Sequence, residues 1–195
     1  MALVHYLIID VEATCWEGAE RVMHAGENEI IEIGLAVVSP ASDIVWHGGW
    51  FVRPLINPVL SGFCKSLTSI GQAQVDEADS LKAVLKQLER QVRESSGQAV
   101  KDCLFVSWGN YDRNQLRRDC ARLEIDYPFG AHINLKDEFL RKHNLKSADV
   151  PKALSYLGLS FAGRHHRGAD DALNIARIFI EDFKAGYAFK LRDAG

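Results

Sequence analysis

Val4-His5-Tyr6-Leu7-Ile8-Ile9-Asp10-Val11-Glu12 is the stretch on which the reading of this chain turns. The apolar run from Val4 to Ile9 suits a strand buried on both faces, and it ends at an acid. Side chains alternate along extended backbone, so Asp10 and Glu12 point to the same face if the strand continues through them. Two carboxylates held close together are unfavourable unless a cation, a proton or a basic partner offsets them, which makes a divalent-metal site one explanation. The plain alternative is that Asp10 caps the following loop and Glu12 is solvated.

Working outward, Trp16 to Asn28 reads as a polar, glycine-containing loop. Glu29 to Val38 alternates as a strand with Ile31, Ile33, Leu35 and Val37 on one side. Ser39 to Asp43 carries turn chemistry, and Ile44 to Val52 predicts a third strand, forming an antiparallel hairpin with the second before Arg53-Pro54 stops it. Pro54 and Pro58 bracket an irregular stretch. Leu81, Val84, Leu85, Leu88 and Val92 then recur at helical spacing, predicting a helix of about three turns. Ser95-Ser96-Gly97 breaks it, and Cys103 to Ser107 is another short strand. Leu116, Cys120 and Leu123 mark a helix beginning near Asp112. A short strand around Ile133 to Leu135 follows, and the last helix carries Ala172, Leu173, Ala176, Phe179 and Ile180 on one face. This order predicts an α/β domain with a mixed sheet and helices against it.

The Asp10/Glu12 pair needs further ligands if it is to hold metal. Asp112 follows a strand at the start of a helix, after Gly109, where its ordinary role would be capping. The segment Gly163-Arg-His-His-Arg-Gly-Ala-Asp-Asp-Ala172 brings a loop histidine ahead of a helical aspartate. Taken alone, that segment could equally supply a helix cap and ordinary surface charge.

Together these pieces resemble the DEDDh 3′→5′ exonuclease family: D-x-E at the end of the first strand, an aspartate after a later strand, and His-x4-Asp near the carboxyl end. The four-residue gap selects His166 over His165 and Asp171 over Asp170. Asp10-Val-Glu-Ala-Thr-Cys15, Glu29-Ile-Ile-Glu-Ile-Gly34, Val52-Arg-Pro54, Leu60-Ser-Gly-Phe-Cys64 and Leu67-Thr-Ser-Ile-Gly-Gln72 with Val75-Asp76 are similar to the histone-mRNA 3′-exonuclease, or enhanced-RNAi, branch and its bacterial sporulation-inhibitor-like relatives. The likeness runs from about residue 4 to about residue 183 of a single exonuclease domain spanning 1–195, leaving a short carboxyl-terminal tail. Ser69 departs from it, standing where the family often has glycine.

The resemblance implies an RNase H-like fold with a five-stranded mixed sheet flanked by helices, and a pair of Mg²⁺ or Mn²⁺ ions. Asp10 would bridge the ions, Glu12 and Asp171 complete the nucleophile side, and Asp112 support the second ion. His166 would be the general base, its ordinary pKa near 6.5 suiting proton acceptance around neutral pH. Hydrolysis of a phosphodiester asks for the same equipment, since two hard cations roughly 4 Å apart can serve both the attacking and the leaving oxygen. The substrate implied is a single-stranded 3′ end, RNA before DNA, and the product a nucleoside 5′-monophosphate. Ala13 and Thr14 would meet the free 3′ hydroxyl, Phe63, Leu67 and Trp108 would flank the terminal base, and Arg164 and Arg167 would bind phosphate. Each of these seven also has a structural reading, as core, strand end or surface charge.

Composition sets limits around that picture. A chain of 195 residues with 47% apolar content can bury one sizeable core. No run reaches the roughly 20 apolar residues of a membrane span, and no signal peptide is expected. Four scattered cysteines without C-x-x-C spacing predict reduced thiols and an intracellular, cytoplasmic setting. The net charge of −3 is not the footprint of a protein gripping long nucleic acid through many phosphates, so contact should be short or metal-assisted. Neither G-x-x-x-x-G-K-[ST] nor G-x-G-x-x-G occurs, and P-C-x-x-C is missing, which sets aside P-loop, dinucleotide and deaminase enzymes. The rivals are a catalytically weak RNA- or protein-binding module on the same fold and a phosphodiesterase for very short oligonucleotides.

Overall fold

A computed structural model describes residues 4–183 and residue 189; most of the expected tail lies outside the described residues. The Val4–Glu12 stretch becomes β1 (Tyr6–Ala13), the central strand of a five-stranded sheet. Its neighbours are β2 (Ile30–Val38), which runs antiparallel to it and continues into β3 (Ile44–Phe51), and β4 (Leu104–Ser107), which runs parallel and is followed by β5 (His132–Asn134). The order is β3-β2-β1-β4-β5, a mixed sheet as expected.

The two faces of β1 bury different cores. Leu7, Ile9 and Val11 pack with Ile33, Leu35 and Val37 beneath the apolar stripe of α4 (Leu81–Ser96) and Leu116 and Cys120 of α5 (Tyr111–Arg122). Ile8 faces the other way, with Ala36, Val38, Val106 and Ile133. There it meets α6 (Leu135–His143), α7 (Val150–Tyr156) and α8 (Gly168–Asp182). The alternation read in β2 holds, but its second face is buried too: all nine residues are shielded, because α8 lies across it. The approach is close. A Cβ on Gly34 would sit 1.8 Å from the carbonyl oxygen of Gly168, so only glycine lets the start of α8 rest on the strand.

Two expectations need correction, and one stretch that went unread holds structure. The stretch read as loop from Trp16 to Asn28 contains a short helix, α1 (Gly18–Met23), which buries none of its residues and so leaves no apolar periodicity to read. The stretch after Pro58 holds two more, α2 (Gly62–Thr68) and α3 (Gln72–Asp76), with only Cys64, Thr68 and Val75 buried between them. The helix read as about three turns runs 16 residues, from a Ser80 cap to Gly97 in the left-handed conformation, so Ser95-Ser96 lie inside it. No helix among the described residues is long and apolar enough to cross a membrane.

Candidate active site

The period-two geometry of β1 sends Asp10 and Glu12 out on the α8 side while Val11 enters the opposite core. The strand is irregular just after Glu12, where the register with β2 shifts between Glu12 and Ala13. Asp112 sits in the first turn of α5, delivered by the Ser107-Trp108-Gly109-Asn110 turn, where Gly109 has φ 114°. Its Oδ1 accepts the amide of Val11 at 3.1 Å, a cross-link that fixes it beside the acids of β1. Asp171 lies in the first turn of α8, and its Oδ2 accepts the Arg167 amide at 3.1 Å. One carboxylate oxygen from each of Asp10, Glu12 and Asp171 can be chosen so that all three lie within 4.8 Å of one another.

His166 precedes α8 with φ 63°, a left-handed conformation that non-glycine residues adopt at a cost and that clusters at functional sites. Its Nδ1 is 4.0 Å from Glu12 Oε1. The ring stacks on His165 with centroids 4.0 Å apart, and His165 Nε2 lies 3.7 Å from Asp171 Oδ1. The sequence spacing separated the two histidines by role; the structure puts both imidazoles against the carboxylates. Asp170 turns away and accepts the Arg164 amide.

Electrostatics match the geometry. Burial is the first cause in every case. It pushes the carboxyl of Asp10 well above the ordinary range, helped by Asp112, Asp171, Glu12 and Glu32. Glu12 is pushed up to about 8, with Asp171, Glu32 and Asp112 adding to the effect. Asp171 rises to about 7, and Asp112 to about 6 despite the hydrogen bonds that favour its charged form. Burial and the neighbouring His165 lower His166 from 6.5. Four carboxylates crowded out of water and repelling one another are a hard-oxygen donor set that a divalent cation would relieve, so the residues present fit such an ion.

The acids line a cleft of about 480 Å³ whose walls include Trp108, Tyr111, Asp149 and His165. Trp108 lines this cleft, its indole donating to the Ala148 carbonyl at 3.2 Å and packing on Phe139. Other expected contacts do not converge. Ala13 and Thr14 are buried, and Thr14 is tied to the next strand: its hydroxyl accepts the Glu29 amide and its carbonyl the Asn28 side chain. Phe63 and Leu67 lie half-buried on α2 and are not part of the cleft wall. Arg164 is exposed. Arg167 is committed elsewhere: its guanidinium forks onto Glu32 at 3.1 and 3.2 Å, beneath the ring of Phe51.

Glu32 went unread. It stands opposite Glu12 in the β1–β2 register, only 3% exposed on its side chain, and it also accepts the Gly168 amide at 3.0 Å. Tyr111 and Asp149 were also missed, although Asp149 ahead of Pro151 is a plain helix-cap signal, and it does accept the Lys152 amide.

A family model described as exonuclease, of the RNase T type, matches residues 7–179. The chain belongs to the DEDDh exonuclease family. The nuclease domain of 3′hExo, a member of that family solved with rAMP bound, is 30% identical, each chain covering 98% of the other, with a TM-score of 0.87. A 3′-exonuclease solved in a study of 3′-end specific recognition of a histone mRNA stem-loop is 29% identical, covering 99% of this chain and 91% of its own, at a TM-score of 0.83. Among curated proteins, ERI1 exoribonuclease 2 of Homo sapiens is 31% identical over 96% of this chain, and 3′-5′ exoribonuclease 1 of Rattus norvegicus 33% over 95%. The chain spans 29% of the length of the first and 55% of the second. The RNase H-like sheet and the family expected from the D-x-E, Asp112 and His-x4-Asp pieces are both borne out.

Proposed function

We propose that this protein is a divalent-metal-dependent 3′→5′ exonuclease that removes nucleoside 5′-monophosphates from single-stranded RNA. The observation that carries the reading is the convergence of Asp10, Glu12, Asp112 and Asp171 from β1, α5 and α8 on one cleft, with His166 4.0 Å from Glu12. Mg²⁺ or Mn²⁺, two ions held by these four carboxylates, would polarise the scissile phosphate, activate the attacking water and neutralise charge at the leaving 3′ oxygen.

The chain's own residues do the rest. His166 is the general base: burial holds its imidazole neutral near pH 7, and the left-handed turn before α8 aims it at the acids from the open side of the cleft. Asp112 is braced by the Val11 amide, and Asp171 by the Arg167 amide, so the ligand oxygens stay close to their working positions before substrate arrives. Trp108, fixed at both its nitrogen and its ring, offers a rigid wall for the terminal base, which suits end recognition without sequence preference. RNA as substrate is supported by the exoribonuclease relatives.

The test is incubation of the protein with 5′-labelled single-stranded RNA and the matching DNA in Mg²⁺ or Mn²⁺, beside EDTA, Asp10→Ala and His166→Ala controls. The expected result is a ladder shortened from the 3′ end, stronger on RNA and absent from the controls. Tight RNA binding without shortening would make the fold a binding module, and cleavage confined to dinucleotides would make it a phosphodiesterase for short oligonucleotides.

A further inference from the structure

A second concavity, of about 590 Å³, opens far from the acids. Its cations come from two elements: Lys86, Arg90 and Arg93 of α4, and Lys101 of the single 3₁₀ turn Val100–Asp102. All four are exposed, and Glu89 is the one acid among the lining residues. Tyr127 forms part of the floor, with the Arg117 guanidinium 5.0 Å over its ring, adding to the positive potential. On α4, Lys86, Arg90 and Arg93 follow at i, i+4 and i+7, a spacing at which like charges repel, and Glu89 stands among them, three residues from Lys86 and four from Arg93. Glu94, the other acid beside Arg90 on α4, stands 4.0 Å away with both side chains open to water. A protein of net charge −3 thus concentrates four cations around one hollow.

The sheet register places this hollow. Lys101 lies just before β4, whose first residue, Leu104, pairs with Tyr6 at the start of β1, while Asp10 lies further along the same strand by about 13 Å. The basic hollow and the acidic cleft therefore sit toward opposite ends of the parallel strands. We propose that the Lys86/Arg90/Arg93/Lys101 groove is an exosite for the phosphate backbone of a single strand whose 3′ end lies in the acidic cleft; this rests on the exonuclease reading. A short oligonucleotide would reach the cleft alone. A longer one would also neutralise the groove, tightening its binding without changing the chemistry at its end.

The experiment compares the native chain with the variant Lys86→Gln, Arg90→Gln, Arg93→Gln, Lys101→Gln. Glutamine keeps the helix propensity of α4 and removes the charge. Binding of fluorescent single-stranded RNAs from two to about 16 nucleotides is followed by anisotropy in EDTA across a salt series, and dinucleotide hydrolysis is measured separately in Mg²⁺. The native protein is expected to bind longer strands more tightly, and the variant to lose that gain. Each phosphate neutralised contributes about 0.7 to the slope of log affinity against log salt, so the variant's slope on the longest strand should be shallower by roughly 3. Dinucleotide hydrolysis should be unchanged. Equal affinity and slope in the two proteins would overturn the exosite, and so would a loss as large on the dinucleotide as on the long strand. Absence of hydrolysis by the native protein, with groove-dependent RNA binding intact, would overturn the exonuclease reading and leave the groove standing.

Discussion

Replacing Glu12 with glutamine should remove activity and make the metal-free protein more stable. Burial and the acids around it raise the Glu12 carboxyl from 4.5 to about 8, and its side chain is only 12% exposed. A raised carboxyl penalises the folded state in full above its folded pKa. The penalty is relieved as the pH falls through that value and is gone below the unfolded one. At pH 7 the folded protein must hold a proton that the unfolded chain would give up at 4.5. At about 1.4 kcal/mol per pH unit, this costs about 3 kcal/mol. A neutral isostere removes that cost. For a domain of this size the change corresponds to a rise of about 6–12 °C in Tm. The assay is thermal unfolding by circular dichroism in EDTA at pH 7 and at pH 4.5. Glu12→Gln should melt well above the native protein at pH 7, and the two should nearly coincide at pH 4.5. Saturating Mg²⁺ or Mn²⁺ should lift the native protein more than the variant and narrow the gap, since an ion that binds only the folded state stabilises it by mass action. A variant melting at or below the native protein at pH 7 in EDTA would refute the reasoning, as would a gain undiminished at pH 4.5.

His166→Ala should lower kcat by about 10²–10⁴-fold with a much smaller change in KM. In the native enzyme the acid limb of kcat/KM should fall below pH 6.5, because the base must be neutral and burial lowers its pKa; steady-state rates on RNA across pH check both. Arg167→Met should destabilise the protein by about 3–5 kcal/mol in urea unfolding, because it strands the buried Glu32 carboxylate; a phosphate-binding arginine would instead lose activity at unchanged stability. Ser69→Gly should stabilise by about 0.5–1 kcal/mol, since Ser69 ends α2 at φ 59° and ψ 20° where a side chain is unfavourable, read as a higher urea midpoint at constant slope.

The Ser69 geometry also fits the glycine that the resemblance leads one to expect there: the residue closes a helix in the left-handed conformation. Elements with a long buried stripe were legible in the sequence for a related reason. α4, α5 and α8 each bury a repeating face, and β1 buries both of its faces, so periodicity alone locates them. α1 buries nothing, and α2 and α3 bury three residues between them; what ties down α2 and α3 is hydrogen bonding, the Ser61 hydroxyl donating to the Cys15 carbonyl at 2.6 Å and the Leu60 amide to the Gln72 side-chain oxygen at 2.9 Å. No local pattern carries contacts that span 46 residues.

The same divide runs through the site. Asp10, Glu12, Asp112, His166 and Asp171 are legible because each sits at the end of a readable strand or the start of a readable helix, where a polar residue has no packing role to hide behind. Glu32 is not, because it lies inside a strand whose alternation assigns it to the outside. The structure makes that second face an interior by laying α8 across Gly34, and this forces a choice on Glu32: a carboxylate buried opposite Glu12 would add a further uncompensated charge to a centre already crowded with four. Arg167 resolves it, forking onto Glu32 from the residue just before α8. One contact therefore does two things. It neutralises Glu32, the buried acid opposite Glu12, and it pins the start of the helix that presents Asp171. It also accounts for why an arginine one residue from His166 need not touch substrate: its charge is committed to holding the start of α8 on β2, the neighbour of β1, on which the meeting of Asp10, Glu12 and Asp171 depends.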